Sequence, residues 1–312
     1  MQKRGEHFAV KHPSFELRYR DRDYPAQLRE LEDDAPKCIY GYGDYSLLSE
    51  NLIAIVGARQ ASPYGLAASQ MLAQVAVSAG FHVISGGAVG CDQAAGRQCL
   101  DSGGKHVVVL GSGADVCYPK SAGPFFREVL DTGGCIISEQ KWKTQPLRWT
   151  FPKRNRIIAA LSKALVLSEA GLPSGSTSGA EAALNLGRLV AAVPGAIFSS
   201  SSRGCNKLIE DGALPIWDRE AFALLLSTEL GSLALVNKAA SCLQEDRLAI
   251  SEPIMRALVA SPCTPTELAQ WNAVEISEVL RMLMAYETEG LVVKLRDGRY
   301  SPTSKYLLSI ET

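Results

Sequence analysis

The stretch from Lys141 to Lys163 combines positive charge with aromatic rings. It carries seven Lys and Arg side chains and no Asp or Glu, and three aromatic residues are interleaved among them: Trp142, Trp149 and Phe151. Cations attract phosphates and aromatic faces stack bases, which is the combination that single-stranded nucleic acid requires. This stretch therefore predicts a nucleic-acid-binding surface; a basic loop that is merely solvated is the alternative.

A proline in the same stretch indicates where a helix begins. Pro152 suits the first turn of a helix, because its missing N–H is not needed there. Cations in a first turn oppose the helix dipole, so a bound anion would compensate them. The side chains predicted to lie in that turn and to contact DNA are Lys153, Arg154, Asn155 and Arg156.

Four short loops rich in glycine or hydroxyl side chains could hold phosphates. They span residues 57–59, 85–92, 169–179 and 202–207, and a backbone N–H, a hydroxyl or a cation is available at each. The candidate contact residues are Gly57, Arg59, Ser85, Gly86, Gly87, Ala88, Gly90, Ser174, Gly175, Ser176, Arg203, Asn206 and Lys207. Glycine turns also punctuate every doubly wound fold, so no single loop is decisive. Neither a dinucleotide GxGxxG after the first strand nor a GxxxxGK[ST] motif occurs, which disfavours hydride transfer and P-loop chemistry.

The elements that must position these loops alternate regularly from residue 52. Short apolar runs lie at 52–56, 82–85, 106–110, 135–138, 164–167 and 189–193, and helix-compatible stretches separate most of them. Runs without polar alternation are typical of strands buried on both faces. The pattern predicts an α/β fold with a doubly wound, mostly parallel, extended Rossmann-like sheet. The loops at the strand carboxyl ends should then line one groove.

The alternation stops near residue 222, and a smaller module follows. Helical stretches at 253–260, 264–270 and 274–289 precede a hairpin with an Asp297-Gly298 turn, which predicts a winged helix-turn-helix. The predicted organisation is a mobile N-terminal tail (1–24), the Rossmann-like single-stranded-DNA-binding domain (25–225), a linker (226–250), the winged-helix domain (251–303) and a tail (304–312). Helix 274–289 carries four Glu and one Arg, a poor match for the phosphate walls of a DNA groove. We interpret this module as a protein-interaction surface or a spacer.

Composition bounds the function further. The 312 residues are 46% hydrophobic and 21% charged with a formal net charge of −1, which excludes whole-chain disorder and a uniformly basic coat. Eight Cys without a CxxC pair and only four His make a zinc site improbable. No signal peptide, membrane span, nucleophilic triad or catalytic carboxylate pair is visible, so we predict a cytoplasmic protein without metal, cofactor or catalytic residues.

In order and spacing, these motifs resemble those of the DprA (Smf) family of DNA-processing proteins. The matching segments run from about Tyr24 to Trp217, and FPKRNRIIA at 151–159 is the most specific. The resemblance implies a non-enzymatic mediator of recombination that binds and protects incoming single-stranded DNA, loads the recombinase RecA during natural transformation, and dimerises through its Rossmann-like domain. It implies pocket roles for Arg59, Lys153, Arg154, Asn155 and Arg156, and backbone phosphate contacts at Gly57, Gly86, Gly87, Ser174 and Gly175.

Three positions depart from the family pattern: Cys91 replaces an aliphatic residue, Gly96 a His, and Gly179 a Thr. Two other functions remain open at this point. The loop leading to Glu181 resembles the PGGxGTxxE motif of nucleotide phosphoribohydrolases, without its paired glycines. A nucleotide-sensing regulator whose winged helix reads duplex DNA is the third possibility.

Overall fold

One sheet organises the first two thirds of the chain. A computed structural model describes residues 11–172, 174–175, 177–232 and 253–310. The strands are β1 (Ser14–Arg18), β2 (Cys38–Gly43), β3 (Leu52–Val56), β4 (His82–Ser85), β5 (His106–Leu110), β6 (Cys135–Ser138), β7 (Ala164–Leu167), β8 (Leu189–Ala192) and β9 (Leu214–Pro215). They are ordered β1-β2-β6-β5-β4-β3-β7-β8-β9. All neighbours from β6 to β9 in that order are parallel, whereas β1–β2 and β2–β6 are antiparallel.

Helices cover both faces of the sheet. They are α1 (Ala26–Arg29), α2 (Pro63–Ser78), α3 (Cys91–Asp101), α4 (Gly123–Asp131), α5 (Thr150–Leu161), α6 (Thr177–Asn185), α7 (Arg203–Glu210) and α8 (Arg219–Leu230). The core of one face includes residues of α5 and α6, and that of the other includes residues of α2 and α8. Every residue of β3 and β5 is buried, as a strand covered on both faces requires. The predicted doubly wound α/β fold is confirmed.

The strand order reverses beside β3. From β3 the chain adds β4, β5 and β6 on one side, then returns through α5 to place β7 on the other side. In open α/β sheets, ligands bind outside the strand carboxyl ends at such a switch point. The fold therefore places a crevice among the loops that follow β3, β4 and β7.

The segment before β3 is more ordered than the sequence suggests. Residues 14–18, predicted to belong to a mobile tail, form the edge strand β1, and Leu17 is buried in the core. Tyr24 is buried as well, and its hydroxyl donates to the carbonyl of Pro36 at 2.7 Å. The prediction of a loose tail thus fails from residue 14 onward, because β2 offers β1 a free edge to pair with.

The C-terminal module contains the predicted elements in the predicted order. They are α9 (Pro253–Ala260), α10 (Pro265–Asn272), α11 (Ile276–Thr288), β10 (Val292–Lys294) and β11 (Tyr300–Pro302), and they share a separate hydrophobic core. Residues 304–310, predicted as part of a tail, form α12 (Ser304–Ile310), and Leu308 packs against the core that contains α2. The helix α8 continues past the predicted boundary at 225, and residues 233–250 of the predicted linker lie outside the described residues. Within the described ranges, no helix is both long and apolar enough to traverse a bilayer.

Candidate nucleic-acid interface

A cavity of about 650 Å³ opens at the strand carboxyl ends, at the switch point. It lies among the loops that follow β3, β4, β5 and β7 and the first turns of α5. Its lining residues are Val56, Gly57, Ala58, Arg59, Gly86, Ala88, Asp92, Tyr118, Arg148, Phe151, Pro152, Arg154, Asn155, Ile158, Leu165, Ser174, Gly175 and Gly179. Eight of the seventeen residues that the sequence predicts to contact DNA are among these lining residues.

Glycine allows the β3 and β4 loops to touch. Gly90 has a φ of 98°, and a Cβ on it would lie 2.7 Å from the carbonyl oxygen of Arg59. A side chain there would meet both a strained backbone and a collision. Gly90 therefore serves loop packing, and it does not line the cavity.

The carboxylate of Asp92 accepts hydrogen bonds from backbone N–H groups of the β4 loop. Asp92 Oδ2 accepts from the N–H of Gly86 at 2.9 Å and from the N–H of Ala88 at 3.3 Å. Asp92 is 6% exposed, and its burial raises the pKa of the carboxyl, an effect that the nearby Arg154 opposes. The N–H groups of Gly86 and Ala88 thus already have an anionic acceptor, although both residues line the cavity, and their contact with DNA stays a prediction.

Arg154 is part of the cavity wall and not a free cation. It is 6% exposed, and its Nη1 donates to the carbonyl of Gly86 at 3.0 Å and to the carbonyl of Val109. Burial lowers the pKa of its guanidinium to about 10, so the group stays charged at neutral pH beside Asp92. Together the two buried charges fix the β4 loop against α5.

The helix that carries the basic stretch begins earlier than predicted. α5 starts at Thr150, so the four residues from 153 to 156 lie beyond its first turn. Arg156 forms a two-pronged ion pair with Glu139, at 2.7 and 3.0 Å, and also donates to the carbonyl of Asp34. Lys153 is exposed, with Nζ 3.8 Å from the same carboxylate. Neither side chain lines the cavity, and Arg156 is already neutralised.

The β7 loop is tied to α5 by an amide. Asn155 Nδ2 donates to the carbonyl of Gly175 at 3.0 Å and to Ser178 Oγ at 2.9 Å. This bond holds Ser174 and Gly175 at the cavity wall, where the sequence placed them. Ser176, the third predicted residue of this loop, lies outside the described residues.

One wall of the cavity is cationic and aromatic. The guanidinium carbon of Arg59 lies over the Phe151 ring, 5.3 Å from its centre, and the Tyr118 ring packs against the same Phe151 ring at a centroid distance of 5.4 Å. Arg59 and Arg148 make no hydrogen bond or ion pair through their side chains with the residues that the structure describes. This wall therefore offers positive charge together with ring faces, as single strands require.

Three residues of this wall were not among the predicted contacts. Arg148 and Phe151 stand in the basic stretch, where charge and aromaticity already marked them. Tyr118 follows Gly111-Ser112-Gly113, a glycine turn after β5 that is equivalent to the turns after β3 and β4. That turn is the sequence signal that would have identified the β5 loop as part of the site.

The loop at 202–207 does not join the cavity. The side-chain amide of Asn206 accepts from the N–H of Gly195 and donates to its carbonyl. Lys207 forms ion pairs with Asp211 at 2.7 Å and with Glu210 at 3.2 Å. Arg203 is exposed at the start of α7. The prediction that the loops at the strand carboxyl ends line one groove is therefore wrong for the loop at 202–207.

Two further predicted contacts lie behind the β4 loop. Ser85 Oγ accepts from the N–H of Gly87 at 3.2 Å and is 3.1 Å from His106 Nε2. His106 is fully buried, and burial lowers its pKa to about 3. Ser85 and Gly87 thus shape the loop from within, and neither lines the cavity.

The structure gives a reason for one of the three departures from the family pattern. A Cβ at Gly96 would lie 2.5 Å from the Phe125 ring and 3.1 Å from His106 Nε2, so the Phe125 ring above all requires glycine there. Gly179 lines the cavity with only ordinary contacts around it, and Cys91 is buried with its pKa raised to about 11. Glu181, on which the hydrolase alternative depends, is exposed on α6 and does not line the cavity.

Comparisons with known proteins agree with this geometry. The model of the family described as DNA recombination-mediator protein A matches residues 16–226. The chain belongs to this family. DNA processing protein DprA of Streptococcus pneumoniae is 38% identical over 203 residues, covering 65% of this chain and 70% of that protein. Protein Smf of Escherichia coli is 32% identical over 278 residues, covering 88% and 74%.

Solved structures of family members share the fold. The crystal structure of DprA from S. pneumoniae aligns with a TM-score of 0.63 at 35% identity, over 70% of this chain and 75% of that one. DNA processing protein A from Helicobacter pylori, whose structure describes a single-stranded DNA binding mode, aligns with a TM-score of 0.63 at 28% identity, over 72% and 99%. The family resemblance read from the motifs is confirmed.

Proposed function

We propose that this protein binds single-stranded DNA in the cavity at the switch point, as a recombination mediator. The observation that carries the proposal is the wall formed by Arg59, Phe151, Tyr118 and Arg148. Neither guanidinium has a carboxylate partner among the described residues, and 42% of the Tyr118 surface is exposed in the same wall. The one carboxylate that lines the cavity, Asp92, is bonded to backbone amides and faces Arg154. The two guanidiniums of the wall therefore attract a DNA phosphate, and no free carboxylate in the cavity lining repels it. The single-stranded DNA binding mode described for the H. pylori relative supports the same assignment.

The salt dependence of binding tests this proposal. Arg59 and Arg148 are the cavity cations available to phosphates, and Lys153 is an exposed cation outside the cavity whose contact with Glu139 is long, at 3.8 Å. We therefore expect two to three contacts per protomer. Log affinity should then fall against log salt with a slope of about −1.4 to −2.1 on single strands. Fluorescence anisotropy with a labelled oligothymidylate at several salt concentrations measures this slope.

Arg59→Glu should weaken binding strongly, because it replaces an attraction in the cavity with a repulsion. Arg203→Glu is the matched control, since Arg203 is equally exposed but lies outside the cavity. Equal losses in the two variants, with unchanged thermal unfolding, would show that binding does not depend on the cavity.

The finer role that we propose follows the family. It comprises protection of incoming DNA during natural transformation, loading of RecA onto the strand, and homodimerisation through the Rossmann-like domain, in the cytoplasm and without catalysis. Homodimerisation is supported by large apolar side chains left exposed on or beside the outer strands β8 and β9: Ile197, Phe198, Leu214 and Trp217. Light scattering of the wild type and of Phe198→Asp tests the dimer. Incubation with AMP, followed by assay for free base, tests the absence of hydrolysis.

A further inference from the structure

Trp149 is held in an exposed position between two residues of the chain that lead into the cavity, directly after the lining residue Arg148. It is the residue before α5, and 59% of its surface is exposed. The next residue, Thr150, is fully buried, and its hydroxyl and its backbone N–H both donate to the carbonyl of Leu147 at 2.7 and 3.1 Å. The burial of Thr150 and its two hydrogen bonds fix the backbone of this turn, so the Trp149 indole is exposed on an ordered segment of the chain. Burial in the core does not explain a tryptophan at this position.

The cavity wall continues directly into this position. Arg148 lines the cavity and is exposed, and Tyr118 lines it with 42% of its surface exposed. Tyr118 packs on Phe151, which in turn lies under Arg59. We call Tyr118, Arg148 and Trp149 the rim. Cations and rings therefore line this side of the cavity, and the exposed Trp149 follows Arg148 directly in the chain.

The charges around the rim leave it positive. Lys141 and Lys143 are exposed on the segment that leads to it, which carries no acidic residue. The nearby carboxylates have partners: Glu139 is paired with Arg156, and Asp115 accepts from the backbone N–H of Lys143 at 2.7 Å. A polyanion that leaves the cavity on this side meets attraction along its path.

The size of the cavity requires such a path. Its volume of about 650 Å³ is that of a site for one small ligand, so it holds one or two nucleotides and not a longer strand. The remaining nucleotides must cross the protein surface. The rim is the part of the mouth that offers both a stacking face and a free cation.

We propose that the rim is a second subsite for single-stranded DNA, in which a base stacks on Trp149 while the adjoining phosphate contacts Arg148. The inference rests on the proposed function, since it extends the path of the same strand. It predicts that the contribution of Trp149 depends on the length of the strand.

Trp149→Ala tests this with two probes, a labelled thymidine dinucleotide and a labelled dodecathymidylate. Binding of the dodecamer should weaken by about 5- to 150-fold, the range that loss of one base–aromatic stack gives. Binding of the dinucleotide, which the cavity holds, should not change. Trp271→Ala is the matched control, because Trp271 is 63% exposed but lies on α10 of the C-terminal module. Trp149→Phe should restore part of the loss, and Arg148→Gln should reduce the salt slope on the dodecamer by about 0.7.

Each outcome decides the inference separately from the proposed function. If Trp149→Ala binds the dodecamer like the wild type while Arg59→Glu does not bind, the rim is not a subsite and the cavity remains one. If both probes weaken equally, Trp149 belongs to the cavity and the second subsite is rejected. Failure of the wild type to bind either probe would reject the proposed function itself.

Discussion

Replacement of Arg154 by Met should destabilise the fold, although the residue stands in the most basic motif of the chain. The guanidinium is buried beside the carboxylate of Asp92 and donates to two carbonyls, of Gly86 and Val109. Arg154 and Asp92 attract each other without forming a salt bridge, and removal of the guanidinium leaves the buried carboxylate uncompensated. We expect a loss of up to about 3–5 kcal/mol, the range for a charge orphaned in a buried pair. For a domain of this size, that loss lowers the unfolding midpoint by roughly 6–20 °C.

Thermal unfolding followed by circular dichroism measures the effect, and two variants control it. Lys153→Met changes an exposed neighbour and should alter stability by no more than about 0.5 kcal/mol. Addition of Asp92→Asn to Arg154→Met removes the orphaned charge but keeps an oxygen for the N–H groups of Gly86 and Ala88. The double variant should therefore be more stable than the sum of the single losses by about 0.5–3 kcal/mol. If Arg154→Met unfolds like the wild type but loses DNA binding, Arg154 is a direct ligand of DNA and the reasoning is refuted.

Three further predictions concern other parts of the molecule. Burial lowers the pKa of His106 to about 3, so between pH 6.5 and 3 the unfolded state binds one proton more than the folded state, and the free energy of unfolding decreases as the pH is lowered through this range. In His106→Gln this decrease should be smaller by about 1.4 kcal/mol per pH unit. Urea titrations at several acidic pH values measure it, and the same pH dependence in the variant and the wild type would contradict the assignment. Arg156→Gln should lower the unfolding midpoint, since it breaks the ion pair with Glu139. The affinity for single strands at low temperature should stay within a factor of about two of the wild type, a change too small to involve a phosphate contact. A loss of affinity comparable to that of Arg59→Glu would place Arg156 in the interface. A chain of residues 11–232 should bind oligothymidylate as the full chain does, because α11 and the residues that cap its two ends expose four Glu and one Arg to solvent. Loss of most binding in this folded fragment would assign DNA contacts to the C-terminal module.

The bounds of the central parallel strands could be predicted almost to the residue, whereas the antiparallel strands β1 and β2 could not be predicted. Runs such as that of β3 are continuously apolar and end at a glycine turn, and the sheet buries them on both faces. The strand β2 reads Cys-Ile-Tyr-Gly-Tyr-Gly, and its two glycines indicate a turn. It becomes a strand because β6 offers it a free edge, which is a property of the assembled sheet and not of the local sequence.

The site shows the same limit at the level of single side chains. Charge and composition correctly marked the stretch that contains Phe151, but they could not separate Arg154 from its neighbours. The separation was present in the helical spacing: Arg154, Ile157, Ile158 and Leu161 share one face of α5, and all four are buried. The partnership of Asp92 with the β4 loop amides depends on how a loop folds back on its own helix, which spacing alone does not reveal.

The antiparallel strand β2 also affects how the chain can fold as it is synthesised. Gly43 pairs with Cys135, and the β3 strand pairs with β7, so both early strands wait for partners that emerge much later. At about 5–20 residues per second, a ribosome delivers β6 roughly 5–20 s after β2. During that interval β2 and β3 are apolar segments with open edges, the condition under which strands pair wrongly. The burial of the N-terminal strands thus ties completion of the Rossmann-like domain to the synthesis of its middle strands, and slower elongation lengthens the time for which the early strands can pair wrongly.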